Sequence, residues 1–155
     1  KLSRMSWIKP NFLWMMYRSG WATKEGQEIV LAIRIQRNAF DSILEQAVPS
    51  TFKSDLYADH ESWKQAVAKS DVRLQFDPDH DPHTQPVERR AIQLGLGGEV
   101  LARYAKEWIV SIEDISQFVH EQHQNVRGQC ENLLTPRERV YPIEDEATRT
   151  RLGLS

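Results

Sequence analysis

A single cysteine, Cys130, leaves no partner for an internal disulfide, so the chain is not a disulfide-stapled scaffold and is expected in a reducing compartment, the cytoplasm. Long apolar runs are missing as well. The longest, residues 12–17, holds six residues against the roughly 20 that a helix needs to cross a bilayer, so no membrane span is expected. The opening Lys1-Leu2-Ser3-Arg4-Met5-Ser6-Trp7 lacks the continuous apolar core and small-residue cleavage site of a signal peptide. It also begins without Met, which makes sequence upstream of Lys1 an expectation. Neither sign of charge dominates: 20 basic and 22 acidic residues leave a net charge of -2. The overall field therefore gives no sign of a dedicated nucleic-acid or anionic-membrane binder, while a local basic patch stays open. No internal repeat or low-complexity segment occurs.

What is present is the composition of a folding chain, 40% apolar and 27% charged. A length of 155 residues suits one core burying roughly two-thirds of the unfolded surface. The expected organisation is a single α+β domain over 1–142 and a polar, frayed C-terminal tail over 143–155. Strands alternate on one side only, which favours a mixed or mostly antiparallel sheet packed by helices over a fully covered parallel one.

Local patterns predict the elements. Residues 7–20 read as a short buried aromatic helix, with Asn11 as N-cap and Gly20 at C′. Trp7, Trp14 and Trp21 recur every seven residues, too few for a coiled coil, and read as core anchors. Residues 29–35 are β-branched and form a strand with Ile29, Leu31, Ile33 and Ile35 on one face. Helices follow at 38–47 and 61–69, the latter packed by Trp63 and Val67. A half-buried strand runs over 72–76, with Arg73 and Gln75 on its polar face. Residues 77–83 hold Pro78 and Pro82 and are expected to be irregular. A third strand over 90–96 turns at Gly97-Gly98 into a helix over 99–106, a fourth strand covers 108–112, and a surface helix over 113–126 turns Ile115, Phe118, Val119 and Gln122 inward. Trp7, Phe12, Trp14, Met15, Leu31, Ile33, Leu74, Ile92, Leu94 and Trp108 are expected to share one core.

Chemistry is only faintly marked. Asp77, Asp79, His80, Asp81 and His83 supply metal-donor atoms, but their spacing fits neither a calcium loop nor a zinc motif. A solvated acidic loop without a tight metal is the better reading. His120 and His123 could share a helix face, with no carboxylate to complete a hydrolase motif. Cys130 reads as a buried or incidental thiol. Gly95-Leu96-Gly97-Gly98 could aim backbone N–H groups at a phosphate, yet it matches neither the P-loop nor the dinucleotide fingerprint, and a tight strand-to-helix turn explains it. More suggestive are cations inside apolar segments: Lys9, Arg18 and Arg34. Each must reach water, a carboxylate or an anionic ligand, because an unpaired buried charge is destabilising by several kcal/mol. Structural ion pairing would satisfy them. Convergence beside Gln75, Arg90 and Gln93 would instead create a pocket for phosphate or carboxylate groups.

The run Arg4-Met5-Ser6-Trp7-Ile8-Lys9-Pro10-Asn11-Phe12-Leu13-Trp14-Met15-Met16-Tyr17-Arg18-Ser19-Gly20-Trp21 closely resembles a bacterial and fungal family catalogued as domain of unknown function four-two-nine-one. The resemblance continues through 27–35, Gln75-Phe76-Asp77-Pro78 and Arg90-Ala91-Ile92-Gln93-Leu94-Gly95-Leu96-Gly97-Gly98-Glu99, and so covers most of 4–142. Members usually carry serine where this chain has Asn11, and an upstream segment with a Tyr-Gln-Ala-Tyr strand that has no counterpart here. The family brings no settled reaction. A weaker resemblance, to divergent ADP-ribosyltransferases, implies NAD as cofactor and Glu99 as the catalytic carboxylate. Two functions are thus expected in competition. One is an NAD-dependent transferase using Glu99, with Lys9, Arg18, Arg34, Gln75, Arg90 and Gln93 contacting substrate. The other is a non-catalytic module that holds a nucleotide or single-stranded nucleic acid through the same cations and exposed tryptophans.

Overall fold

The strict alternation at 72–76 builds the centre of the molecule, which the computed structural model describes over residues 2–154. On β4 (Val72–His80), Val72, Leu74 and Phe76 stand opposite Leu96, Leu94 and Ile92 of the antiparallel β5 (Pro86–Leu96). Period-two geometry sends these six to one face and Arg73, Gln75 and Asp77, with Gly95, Gln93 and Ala91, to the other. The apolar face packs in one cluster with Ala39, Ile43 and Leu44 of α2 (Arg37–Gln46) and Val100 and Leu101 of α4 (Gly98–Arg103). Tyr104 and Trp108, from the π-helical turn Tyr104–Trp108 that continues α4, complete it.

Two short strands extend this sheet. β1 (Ser6–Ile8) lies antiparallel on β5 with Trp7 opposite Gly95, and β3 (Ala47–Pro49) lies parallel on β4, giving the mixed order β1-β5-β4-β3. Gly95 is required there. A Cβ on it would come within 2.5 Å of the Met5 sulfur and 3.0 Å of the Trp7 ring. β2 (Leu31–Ile35) does not join the sheet. It pairs with β6 (Ile109–Asp114) in a separate antiparallel ribbon, bulged between Arg34 and Ile35. The α+β class and mixed sheet are those expected, and among the described residues no helix is long and apolar enough to cross a membrane.

A second, smaller cluster joins α1 (Phe12–Ser19) to α5 (Ser116–Arg127) through Met16, Trp21, Ala22, Val30 and Val119. α1 ends as expected, with Gly20 left-handed at φ 59°. Trp21 and Ala22 follow it at φ 55° and 60°, each at a strain of roughly 1–2 kcal/mol. Burial of both and the bond from Trp21 N to Met16 O (2.8 Å) hold them there. α3 (His60–Lys69) starts on a reciprocal cap between Asp59 and Ser62.

Several expectations need correction. Of the ten residues assigned to one core, Trp14, Leu74, Leu94 and Trp108 are buried and Phe12, Met15 and Ile92 partly so. Trp7, Leu31 and Ile33 are exposed at 38%, 48% and 39%, because β1 is an edge strand and β2 pairs only with β6. Trp7 and Ile8 belong to β1, ahead of the helix, which starts at Phe12 after Asn11 as expected. Asn11 is the N-cap by position, yet its Oδ1 accepts from Ile92 N (3.1 Å), pinning the helix start to β5. Residues 77–80 are strand, since Pro78 falls at the Pro78/His80 irregularity where a missing donor is tolerated. The turn itself is made by Asp81, whose Oδ1 accepts from His83 N and Gln85 N, both at 2.9 Å. Residues 146–152 are helical: α6 (Glu146–Leu152) is capped by the Asp145 side chain and buries Leu152 in the main cluster.

Candidate functional site

Where β1 gives way to α1, Lys9 precedes Pro10, whose ring confines Lys9 to extended backbone. The Lys9 ammonium turns back to the Trp7 carbonyl, a long contact of 3.4 Å. Among the described residues it pairs with no carboxylate. Among the described residues the ion pairs are Arg89–Asp79 and Arg103–Glu107, neither of which involves Lys9 or Arg18. Lys9 lines a groove of about 390 Å³ between the two sheets, with Trp7 and Ile8 on one wall, Leu31 and Ile33 on the other, and Tyr104 also lining it. Burial among these apolar side chains, and then the positive charge of Arg18, hold the Lys9 amine below its ordinary value. Burial also raises the Tyr104 phenol.

Arg18, in the last turn of α1, is steadied by a neutral group. The Gln27 amide is best oriented to accept from the Arg18 guanidinium at 3.3 Å while donating to the Arg18 carbonyl at 3.2 Å. Arg18 is exposed and does not itself line the groove, but its charge reaches the Lys9 amine inside it, and among the described residues neither cation forms an ion pair.

The family match spans this whole arrangement: residues 1–141 fit the model of a family described as a domain of unknown function, DUF4291. The chain belongs to DUF4291. No curated protein and no solved structure matches it. The comparisons therefore lend no support to the resemblance to ADP-ribosyltransferases, and α6 lies beyond the DUF4291 match.

The other candidate residues of this DUF4291 chain fall elsewhere. Gln75 and Gln93 are direct cross-strand partners, and both amides donate to Asp77, each at 2.9 Å. The Asp77 carboxylate takes up both donors. Arg90 is exposed and donates to the Phe76 carbonyl at 3.3 Å. Arg34 is exposed on the ribbon opposite Ser111, on the face turned from Leu31 and Ile33. Glu99 is exposed in the first turn of α4 and is not among the residues lining the groove. Lys9 feels the charge of Arg18, and Gln75 faces Gln93 across the sheet, but the set as a whole does not converge.

The glycine turn before Glu99 is already occupied. Gly97 N donates to the Asp71 carbonyl (2.8 Å) and Glu99 N to the Asp71 carboxylate (3.0 Å), so Asp71 takes the place that a phosphate would need. The carboxylates at 77–83 are likewise engaged, while the buried His80 Nδ1 has no hydrogen-bond partner among the described residues. Asp77 holds the glutamines, Asp79 is paired with Arg89, and Asp81 makes the turn. Among the described residues no group of three or more His, Cys, Asp or Glu is arranged to hold a metal ion. His123 stacks on Trp21 with ring centroids 5.9 Å apart, and burial first, then Arg127 and His120, lower its pKa. Cys130 is exposed, its sulfur 4.0 Å from His83 Nε2.

Sequence reasoning missed Tyr104 and the groove itself. Tyr104 sits one residue past a regular helix pattern, in a π-helical turn that no spacing announces. The exposed apolar face of β2 looked like core, because alternation reveals which residues share a face and not what covers that face.

Proposed function

We propose that this DUF4291 domain is a binding module for a small phosphate-bearing molecule with a planar or apolar body, held in the groove between the sheets by Lys9 and Arg18. The observation that supports the reading is a half-buried cation, Lys9, lining an apolar groove, with the exposed Arg18 near enough for its charge to act on it. Burial and a neighbouring positive charge both destabilise the charged form of Lys9, and an anionic occupant would offset both. Trp7, exposed at 38% and lining the groove, adds an aromatic surface for a base or other flat group. A volume of about 390 Å³ suits one small ligand rather than a stretch of single-stranded nucleic acid.

NAD belongs to this ligand class. A transferase would need the Glu99 carboxylate beside the bound ribose, and the exposure of Glu99 outside the groove weighs for binding without chemistry there. Calorimetry with AMP, NAD and inorganic phosphate tests the reading. Arg18→Ala is expected to weaken AMP or NAD on the order of tenfold to a hundredfold, since a charge-assisted contact contributes roughly 1.5–3 kcal/mol. Glu99→Gln is expected to leave binding unchanged. No affinity of the native protein for any of these ligands would remove the reading.

A further inference from the structure

We propose that Lys9 is a reactive amine that condenses with the carbonyl carbon of an aldehyde or ketone bound in the groove, forming a Schiff base. The inference rests on the binding reading above and narrows its ligand to phosphate-bearing carbonyl compounds. Four observations meet at this one side chain. Lys9 lines a groove of about 390 Å³, large enough to bring a carbonyl to its amine. Among the described residues its hydrogen-bond partner is the Trp7 carbonyl at 3.4 Å, and no carboxylate there pairs with its protonated form. Burial and the neighbouring Arg18 both favour the neutral amine, the two devices by which a lysine becomes a nucleophile near neutral pH. Arg18, exposed and not part of the groove lining, sets a second positive charge near this amine.

The two cations then divide the work. Arg18 anchors the anionic group and Lys9 supplies the lone pair. The neutral Nζ adds to the carbonyl carbon, the carbonyl π electrons move to oxygen, and a proton passes from nitrogen to that oxygen to give a carbinolamine. Protonation of the hydroxyl expels water as the nitrogen lone pair forms the C=N bond, and loss of the remaining N–H proton gives the neutral imine. Amine and carbonyl are converted to imine and water, with no oxidant or reductant consumed. Tyr104 lines the same groove, and burial keeps its phenol protonated, so it can assist solvent as the proton source for the departing oxygen.

Pyridoxal 5′-phosphate is a suitable probe, being a flat, phosphate-bearing aldehyde. The full chain is incubated at neutral pH with less than one equivalent, reduced with cyanoborohydride, and mapped by peptide mass spectrometry. The expected result is a modification at Lys9 at least tenfold above that at any other amine, abolished by Lys9→Arg and reduced at least tenfold by excess AMP. Lys9→Arg keeps a positive charge and removes the primary amine, so it isolates the nucleophile. Labelling spread over the exposed lysines, or absent from Lys9 while AMP still binds, would overturn the reactive amine and leave the binding reading standing. Selective labelling of Lys9 that AMP does not suppress would support the amine and count against the nucleotide site. Absence of both labelling at Lys9 and AMP affinity would remove both.

Discussion

Asp79 is fully buried, and Arg89 holds its Oδ2 with two donors, Nη2 at 2.6 Å and Nε at 2.9 Å. The other carboxylate oxygen accepts from His80 N at 2.8 Å. An acidic residue in what looked like a mobile loop is thereby the anchor of the far end of the β4–β5 hairpin. Arg89→Ala would leave a buried carboxylate short of its two strongest donors. The expected destabilisation is about 1.5–3 kcal/mol, the range for hydrogen bonds to a charged group and below that for fully buried pairs, because Arg89 itself is 61% exposed. Urea unfolding of Arg89→Ala, alone and with Asp79→Asn, checks this. The double variant is expected to recover part of the loss.

Gly98 carries φ 47°, and a Cβ there would overlap the Asp71 carboxylate that accepts from Glu99 N. Gly98→Ala is expected to destabilise by about 1–3 kcal/mol through strain and displacement of Asp71 together. Adding Asp71→Ala removes the obstruction, so the two losses should sum to less than their separate values in a double-substitution cycle read by thermal unfolding.

The state of Lys9 predicts a pH dependence. Its folded value lies below the ordinary 10.5, so between the two values the unfolded chain binds more protons. Stability from this group therefore rises as pH increases through that window, and at lower pH the folded state bears the strain of the charge. Lys9→Met is expected to stabilise the protein at neutral pH, with the advantage shrinking toward pH 10.5. Chemical denaturation across that range measures it. A gain independent of pH would contradict the assignment.

His123 follows the same sign at lower pH. Stacked on Trp21 and lowered from 6.5, it takes up its proton in the unfolded chain first. Stability should fall as pH drops below 6.5, and His123→Gln should blunt that fall, as followed by thermal melts from pH 7 to pH 4.

Leu152, 3% exposed, ties α6 into the main cluster beside Leu44 and Leu96. Leu152→Ala is expected to destabilise by about 2–4 kcal/mol, the range for a core leucine. A frayed tail would instead tolerate the change, so equilibrium unfolding separates the two descriptions.

Sequence alone determined the elements whose signals are local. The alternation of Val72, Leu74 and Phe76, the amphipathic spacing of Ile43 and Leu44, and Gly20 after the aromatic helix each act within a few residues, and each stands as read. It also singled out Lys9 and Arg18, since a cation within an apolar run is conspicuous by itself. Tertiary structure alone decided the rest. Whether Leu31 and Ile33 are core depends on which strand β2 joins, and pairing with β6 left that face open to form the groove. Whether Asp79 is solvated depends on Arg89, ten positions away across a hairpin. Whether Glu99 meets the cations depends on where α4 leaves the sheet. Burial and charge pairing are properties of neighbours brought together by long-range packing, and periodicity along the chain carries no information about which neighbours those are.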